Sequence, residues 1–135
     1  MTKPPLLDTH VWVWWMLGDP RLSSRERTAL DDLPSGQRPV ICDISLWEVA
    51  LLVQLRRLRL DDGIEDWLRI AAAPATVSML PISPGVVTEM NRLPAGFHQD
   101  PADRLIVATA RAAGLPLATH DARIRRSRLA PLWSA

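Results

Sequence analysis

Four short apolar runs, each bounded by polar or turn-forming residues, predict buried β-strands. The first covers residues 5–7, and the second has Val40 and Ile41 as its core in RPVICDIS. TVSMLPI at 76–82 and LPLATHD at 115–121 are the third and fourth. Each run is at most eight residues long, which suits a strand better than a helix.

Helical periodicity fills the intervals between these strands. After Thr9 the apolar residues Val11, Trp12, Trp15 and Met16 recur at helical spacing. Further helices are predicted after Ser23 or Ser24, in SLWEVALLVQLRRL (45–58), GIEDWLRIAAA (63–73), SPGVVTEMNRL (83–93) and DPADRLIVATARAAG (100–114). A basic tail follows the last strand.

Capping signals support two of these helices. Ser45 and Glu48 have the spacing of a capping box, and Asp100 is an N-cap followed by Pro101 at the first helical position. Strands alternating with helices predict an α/β fold. We therefore expect a three-layer α/β/α sandwich, with a central, mainly parallel sheet of four to five strands, in a single domain over residues 1–135.

Composition narrows the class of protein. The chain has 135 residues, 47% hydrophobic and 23% charged, with a net charge of +1 that does not by itself indicate nucleic-acid binding. Two arginine clusters, at 56–59 and 123–128, are either solvated helix faces or contacts to phosphate or an acidic partner. With one cysteine, no signal peptide and no long apolar stretch, the expected location is the cytoplasm, away from membranes.

One carboxylate interrupts the apolar stretch LLDTHVWVWW. Asp8 ends the first predicted strand, and an acid is seldom buried unless it is paired or bound to metal. Glu48 begins the helix after the second strand, Asp103 begins the helix before the last strand, and Asp121 lies just beyond that strand. Sites in parallel sheets form at the carboxyl ends of strands, so these four acids are predicted on one edge.

Four convergent carboxylates need a cation or protons. Two unit charges about 4 Å apart repel by about 4 kcal/mol at an effective dielectric constant of 20. Oxygen ligands suit Mg²⁺ or Mn²⁺, and a metal-activated water can attack phosphorus, as in nucleases. Each acid also has a structural explanation: Asp8 as a cap, Glu48 in a capping box, Asp103 at a helix dipole and Asp121 in a turn.

Other polar residues are weaker candidates for the site. Asp100 caps its helix and Asp43 ends the second strand, so either could assist. His10 and His120 flank two of the acids, but their spacing does not make a zinc site. Ser45 is the expected N-cap of its helix, and supporting one of the site's acids is the alternative role.

The segments LLDTHVWVWWMLGDPRLS, ISLWEVALL, HQDPADRLIVATA and LATHD resemble, in order, the PIN-domain ribonucleases, specifically VapC-type toxins of bacterial toxin–antitoxin pairs. The resemblance implies a PIN fold and Mg²⁺- or Mn²⁺-dependent endonucleolytic cleavage of RNA. It assigns the four catalytic, metal-binding acids to Asp8, Glu48, Asp103 and Asp121, with Asp8 and Asp103 as the most direct ligands. Thr119 matches a polar position near the fourth acid.

The resemblance also implies partners. They are an RNA substrate, a second copy in a homodimer, and a cognate VapB-type antitoxin whose C-terminal segment blocks the acidic site. The turn QLRRLRLDDG departs from the family by lacking an early glycine. Two alternatives remain open: a catalytically silent PIN-like module that binds RNA or protein, and another metal-assisted phosphoryl hydrolase.

Overall fold

The computed structural model describes residues 3–135, in which four strands alternate with seven helices. The strands are β1 (Leu6–Leu7), β2 (Val40–Cys42), β3 (Ser78–Leu80) and β4 (Leu117–Ala118). The helices are α1 (Thr9–Leu17), α2 (Ser24–Asp31), α3 (Ile44–Gln54), α4 (Ile64–Ala71), α5 (Pro84–Arg92), α6 (Pro101–Ala113) and α7 (Ala122–Ser127).

All four strands pair in parallel, in the order β3-β2-β1-β4. In β1, one of the two inner strands, Leu6 lies opposite Val40 of β2 on one side and Leu117 of β4 on the other. Parallel strands need crossover connections, and the helices between them supply these. The predicted parallel sheet is confirmed, at four strands.

The sheet has a hydrophobic core on each of its two faces, because successive side chains along a strand point to opposite faces. Leu6 packs on one face with Ile106 of α6 and Ile124 of α7. Leu7 packs on the other face with Trp12 of α1 and other buried apolar side chains. Helices therefore cover both faces, and the predicted three-layer sandwich is confirmed.

The predicted capping box at the start of α3 is wrong. The helix begins after Asp43, whose side chain makes no capping hydrogen bond, and Ser45 lies buried inside the first turn. The chain's capping box lies instead at α2, where Ser23 and Glu26 bond reciprocally to each other's backbone N–H. Of the two serines after which this helix was predicted to begin, Ser23 is confirmed as its N-cap.

The C-terminal segment also differs from expectation. The predicted basic tail contains helix α7, whose N-cap is Asp121. The N-cap role of Asp100 and the placement of Pro101 in the first turn of α6 are confirmed. Among the helices of residues 3–135, none combines the length and apolarity needed to cross a bilayer.

Candidate active site

Asp8 follows β1 at the carboxyl edge of the sheet and is only 2% exposed. Its Oδ1 accepts the backbone N–H of Thr9 at 2.9 Å, so it caps α1. Its Oδ2 accepts the hydroxyl of Thr119 at 2.6 Å. The two explanations for this buried acid are compatible, since capping fixes the carboxylate while it stands among the other acids.

Glu48 turns towards Asp8 instead of capping its own helix. The Thr9 hydroxyl donates to the Glu48 carboxylate, and the Ser45 hydroxyl lies 2.8 Å from Thr9 Oγ1. Because Thr9 has one hydroxyl proton, Ser45 is the donor of that second bond. Burial raises the pKa of Glu48, the Thr9 bond opposes the rise, and the charges of Asp8 and Asp100 add to it.

Asp103 lies in the first turn of α6, where its backbone N–H donates to Asp100 Oδ1 at 3.0 Å. Burial is the main cause that raises the pKa of Asp103 to about 8. The charges of Asp8, Asp100, Glu48 and Asp121 raise it further. The structure therefore brings the four predicted acids, together with Asp100, into one electrostatic cluster.

Asp121 is fixed by the start of α7. Its Oδ1 accepts the backbone N–H groups of Arg123 at 2.8 Å and Ile124 at 3.0 Å. Its own N–H donates to Thr119 Oγ1 at 3.0 Å. Thr119 thus links Asp121 to Asp8, since the same hydroxyl donates to the Asp8 carboxylate.

Asp43 is not brought into this cluster. Its Oδ2 accepts the backbone N–H of Ile82 at 3.2 Å, and its Oδ1 lies 3.8 Å from the Cys42 thiol, which donates to it. The residue therefore ties the end of β2 to the chain after β3. Its charge does not contribute to the raised pKa of Glu48 or Asp103.

Two histidines extend the site on the Asp8 side. His10 Nδ1 lies 3.5 Å from Asp8 Oδ2, and His10 Nε2 accepts the backbone N–H of His120 at 2.9 Å. Burial lowers the pKa of His10, which favours the neutral ring. The hydrogen bond to Nε2 assigns the remaining proton to Nδ1, facing Asp8. His120 Nε2 in turn contacts Glu26 at 2.7 Å.

A third histidine was missed by sequence reasoning. His98 Nε2 is buried 3.4 Å from Asp103 Oδ2, but it has no hydrogen-bond partner among residues 3–135. The one signal in the sequence is its place directly before the acidic segment, in HQDPAD. Its loop lacks the periodicity from which a side chain's direction can be inferred.

The donor set suits a hydrated hard cation. Across the described residues, no three His, Cys, Asp or Glu side chains already form a group able to hold a metal. Mg²⁺ does not require such a cage, because it keeps several waters and commonly uses one or two carboxylates. The four acids offer only oxygen, and the charges of the neighbouring acids add to the effect of burial in raising the pKa of Asp103.

Comparisons with known proteins give one family. The family described as PIN domain matches residues 6–128 of this chain. Ribonuclease VapC22 of Mycobacterium tuberculosis (strain ATCC 25618 / H37Rv) is 37% identical over 123 residues, covering 91% of each protein.

Solved structures share the fold. One is VapBC2 from Rickettsia felis, in complex with a DNA fragment of its own promoter. It gives a TM-score of 0.71 at 19% identity, over 95% of this chain and 96% of that chain. DNA-bound VapBC from Salmonella typhimurium gives a TM-score of 0.69 at 21% identity, over 98% of this chain and 98% of that chain.

Proposed function

The chain belongs to the PIN-domain family, and from that premise we propose that it is a metal-dependent endoribonuclease, the toxin component of a type II toxin–antitoxin pair. The similarity to a protein named as a ribonuclease supports the reaction class. The observation that carries the proposal is the cluster of acids around Asp103, whose pKa is raised to about 8 by burial and, further, by the charges of these neighbours. Residues 1–135 act in it as a single PIN domain.

We assign the cation, Mg²⁺ or Mn²⁺, to Asp8, Glu48, Asp103 and Asp121. When bound, such an ion lowers the pKa of a coordinated water and offsets charge on the phosphate under attack. Asp8 is held for this role by Thr9 and Thr119.

Without a cation, Asp103 keeps a proton at neutral pH, because its pKa is raised to about 8. Glu48 is aimed at the same cluster by the Thr9 hydroxyl, which also accepts the Ser45 proton. Cation binding and loss of the Asp103 proton are therefore linked.

The proposed partners are RNA as substrate, a VapB-type antitoxin and a second copy of the chain. The solved relatives are VapBC complexes, which supports the antitoxin. Trp47 and Leu55 of the α3 region are 53% and 52% exposed, and large exposed apolar side chains favour a protein partner on this face. With cellular RNA as substrate, the place of action is the cytoplasm.

The test is cleavage of structured and single-stranded RNA by the purified full chain, with Mg²⁺ or Mn²⁺ and with EDTA. We expect metal-dependent cleavage that falls by about 100-fold or more in Asp8→Asn, since loss of a ligand costs more than loss of its supporting group. Asp61→Asn, in the exposed turn before α4, is the matched control and should cut normally.

Two outcomes would contradict the proposal. Equal cleavage by wild type and Asp8→Asn would remove Asp8 from the site. A folded wild type that binds RNA without cutting any RNA tested would favour the alternative of a catalytically silent binding module.

A further inference from the structure

A cavity of about 390 Å³ adjoins the acidic cluster on the Asp103 side. One wall comes from the loop between α5 and α6, with Phe97 and His98, and the other from α7, with Arg123 and Arg126. The volume lies within the range of small-molecule sites, about 300–1,000 Å³. The cavity is therefore large enough for one building block of a polymer substrate.

In each wall, one residue contacts an acid of the cluster. His98 Nε2 lies 3.4 Å from Asp103 Oδ2 and lacks a hydrogen-bond partner in the described chain. The backbone N–H of Arg123 donates to Asp121 Oδ1 at 2.8 Å. A lining residue of each wall thus contacts an acid of the cluster, while the acids themselves do not line the cavity.

Arg123 and Arg126 give this cavity a positive side. They are exposed, stand three residues apart on one helix, and form no ion pair or side-chain hydrogen bond within residues 3–135. Neighbouring arginines differ, since Arg125 donates to the Thr119 carbonyl and Arg104 to the carbonyls of the cavity loop. Two guanidinium groups are thus free to bind an anion.

We propose that this cavity is a subsite for the RNA nucleotide next to the scissile phosphate, whose own phosphate binds Arg123 and Arg126. The inference rests on the proposed function. An RNA strand bound at four acids needs cations immediately beyond them, because its phosphates are otherwise repelled. Guanidinium groups bind phosphate oxygens bidentately, and they bind carboxylates of an acidic peptide in the same way. Continuity with the acidic edge favours RNA.

The experiment measures RNA affinity, so that it does not depend on cleavage. The full chain carrying Asp8→Asn is titrated against fluorescein-labelled, random-sequence single-stranded RNA in Mg²⁺, at several salt concentrations. Arg123→Ala/Arg126→Ala is compared with Arg57→Ala/Arg59→Ala, a pair of exposed arginines beyond the end of α3. They belong to the other arginine cluster, which does not line the cavity and which this proposal assigns to a solvated surface. Both double variants lose the same charge, and alanine favours helix, which preserves α7.

We expect Arg123→Ala/Arg126→Ala to weaken RNA binding by about 10-fold or more, because losing a hydrogen bond to a charged group lowers affinity by at least that factor. The slope of log K against log salt should become less negative by about 0.7, the value for the one phosphate that the variant no longer neutralises. The control pair should change neither value. Lysine at both positions should restore the slope but only part of the affinity, because it lacks the bidentate geometry.

Three results would overturn the inference. One is equal affinity and salt slope in the two double variants. Another is unchanged RNA binding with lost binding of polyglutamate, which would assign the cavity to an acidic peptide. The third is a weaker affinity with an unchanged salt slope. Failure of the proposed function is distinguishable, since it appears as absent cleavage by wild type and leaves these affinities measurable.

Discussion

At the scale of single residues, two threonines organise the candidate site. Thr9 donates to Glu48, while Thr119 donates to Asp8 and accepts from Asp121. Buried hydroxyls of this kind fix carboxylate oxygens in one orientation. Their loss should therefore affect both the free energy of unfolding and catalysis.

Thr119→Val tests this organisation with little change in side-chain volume. Removing a hydrogen bond to a charged group should lower the free energy of unfolding by about 1.5–3 kcal/mol. RNA cleavage should fall by about 10- to 100-fold, as for other groups that orient metal ligands. Urea unfolding and cleavage rates measure the two effects.

Two controls belong with that variant. Thr119→Ser keeps the hydroxyl and should retain most activity. Thr88→Val removes an exposed hydroxyl of α5, which donates to the Pro84 carbonyl. Normal cleavage by Thr119→Val would show that Asp8 is oriented without this bond.

The proton on Asp103 should make the stability of the metal-free protein depend on pH. Its pKa is about 8 when folded against an ordinary value of 3.8, so between these values the folded chain holds a proton that the unfolded chain releases. The free energy of unfolding contributed by this group is highest below pH 4 and is lost as pH rises through 8. The same residue thus favours folding at acid pH and opposes it at alkaline pH.

Asp103→Asn isolates this contribution. Urea unfolding in EDTA at several pH values should show wild type losing stability relative to Asp103→Asn as pH rises from about 5 to about 9. The exposed Asp61→Asn should remain parallel to wild type. A constant difference between wild type and Asp103→Asn would mean that neither burial nor the neighbouring acids raise the pKa of Asp103 in the folded chain.

At the scale of elements, periodicity predicted the helices and strands better than it predicted their ends. Local spacing is the same in Ser23-x-x-Glu26 and Ser45-x-x-Glu48, but only the first pair forms a capping box. In the second pair, Thr9 from a distant part of the chain binds the Glu48 carboxylate. Tertiary contact therefore decides between two outcomes that the sequence alone leaves equal.

Alanine substitutions in the two serines should separate these roles. Ser23→Ala removes a helix cap and should cost about 1 kcal/mol of unfolding free energy, with RNA cleavage unchanged. Ser45→Ala removes the donor to Thr9 and should reduce cleavage as well, because Glu48 loses its supported position. Thermal unfolding and cleavage assays measure both, and equal cleavage by the two variants would contradict the assignment of Ser45.

At the scale of the whole molecule, the carboxyl edge of the sheet carries an acidic cluster beside cations, although the net charge is only +1. The sequence could predict the acidic part, because Asp8 comes directly after β1 and Asp121 lies just beyond β4. It could not place His98 or the cavity, because these depend on how a loop without periodicity packs against α7. Strand order brings acids together, whereas loop packing determines what lies beside them.

Metal binding should stabilise the whole fold, because a cation that binds only the folded chain shifts the unfolding equilibrium. At about 100 times its dissociation constant the gain is about 2.7 kcal/mol, or roughly a 10 °C rise in Tm for a domain of this size. Differential scanning fluorimetry with Mg²⁺ or Mn²⁺ measures it. Asp8→Asn and Asp103→Asn should lose most of the shift, and Asp61→Asn should keep it.

The same shift should grow from about pH 6 to about pH 9, since a cation competes with the proton that Asp103 holds up to a pKa of about 8. In Asp103→Asn, any remaining shift should lose most of this pH dependence. A shift that is equal in wild type and Asp8→Asn would place the stabilising cation elsewhere on the molecule. A shift in wild type that is independent of pH would show that cation binding does not compete with a proton on Asp103.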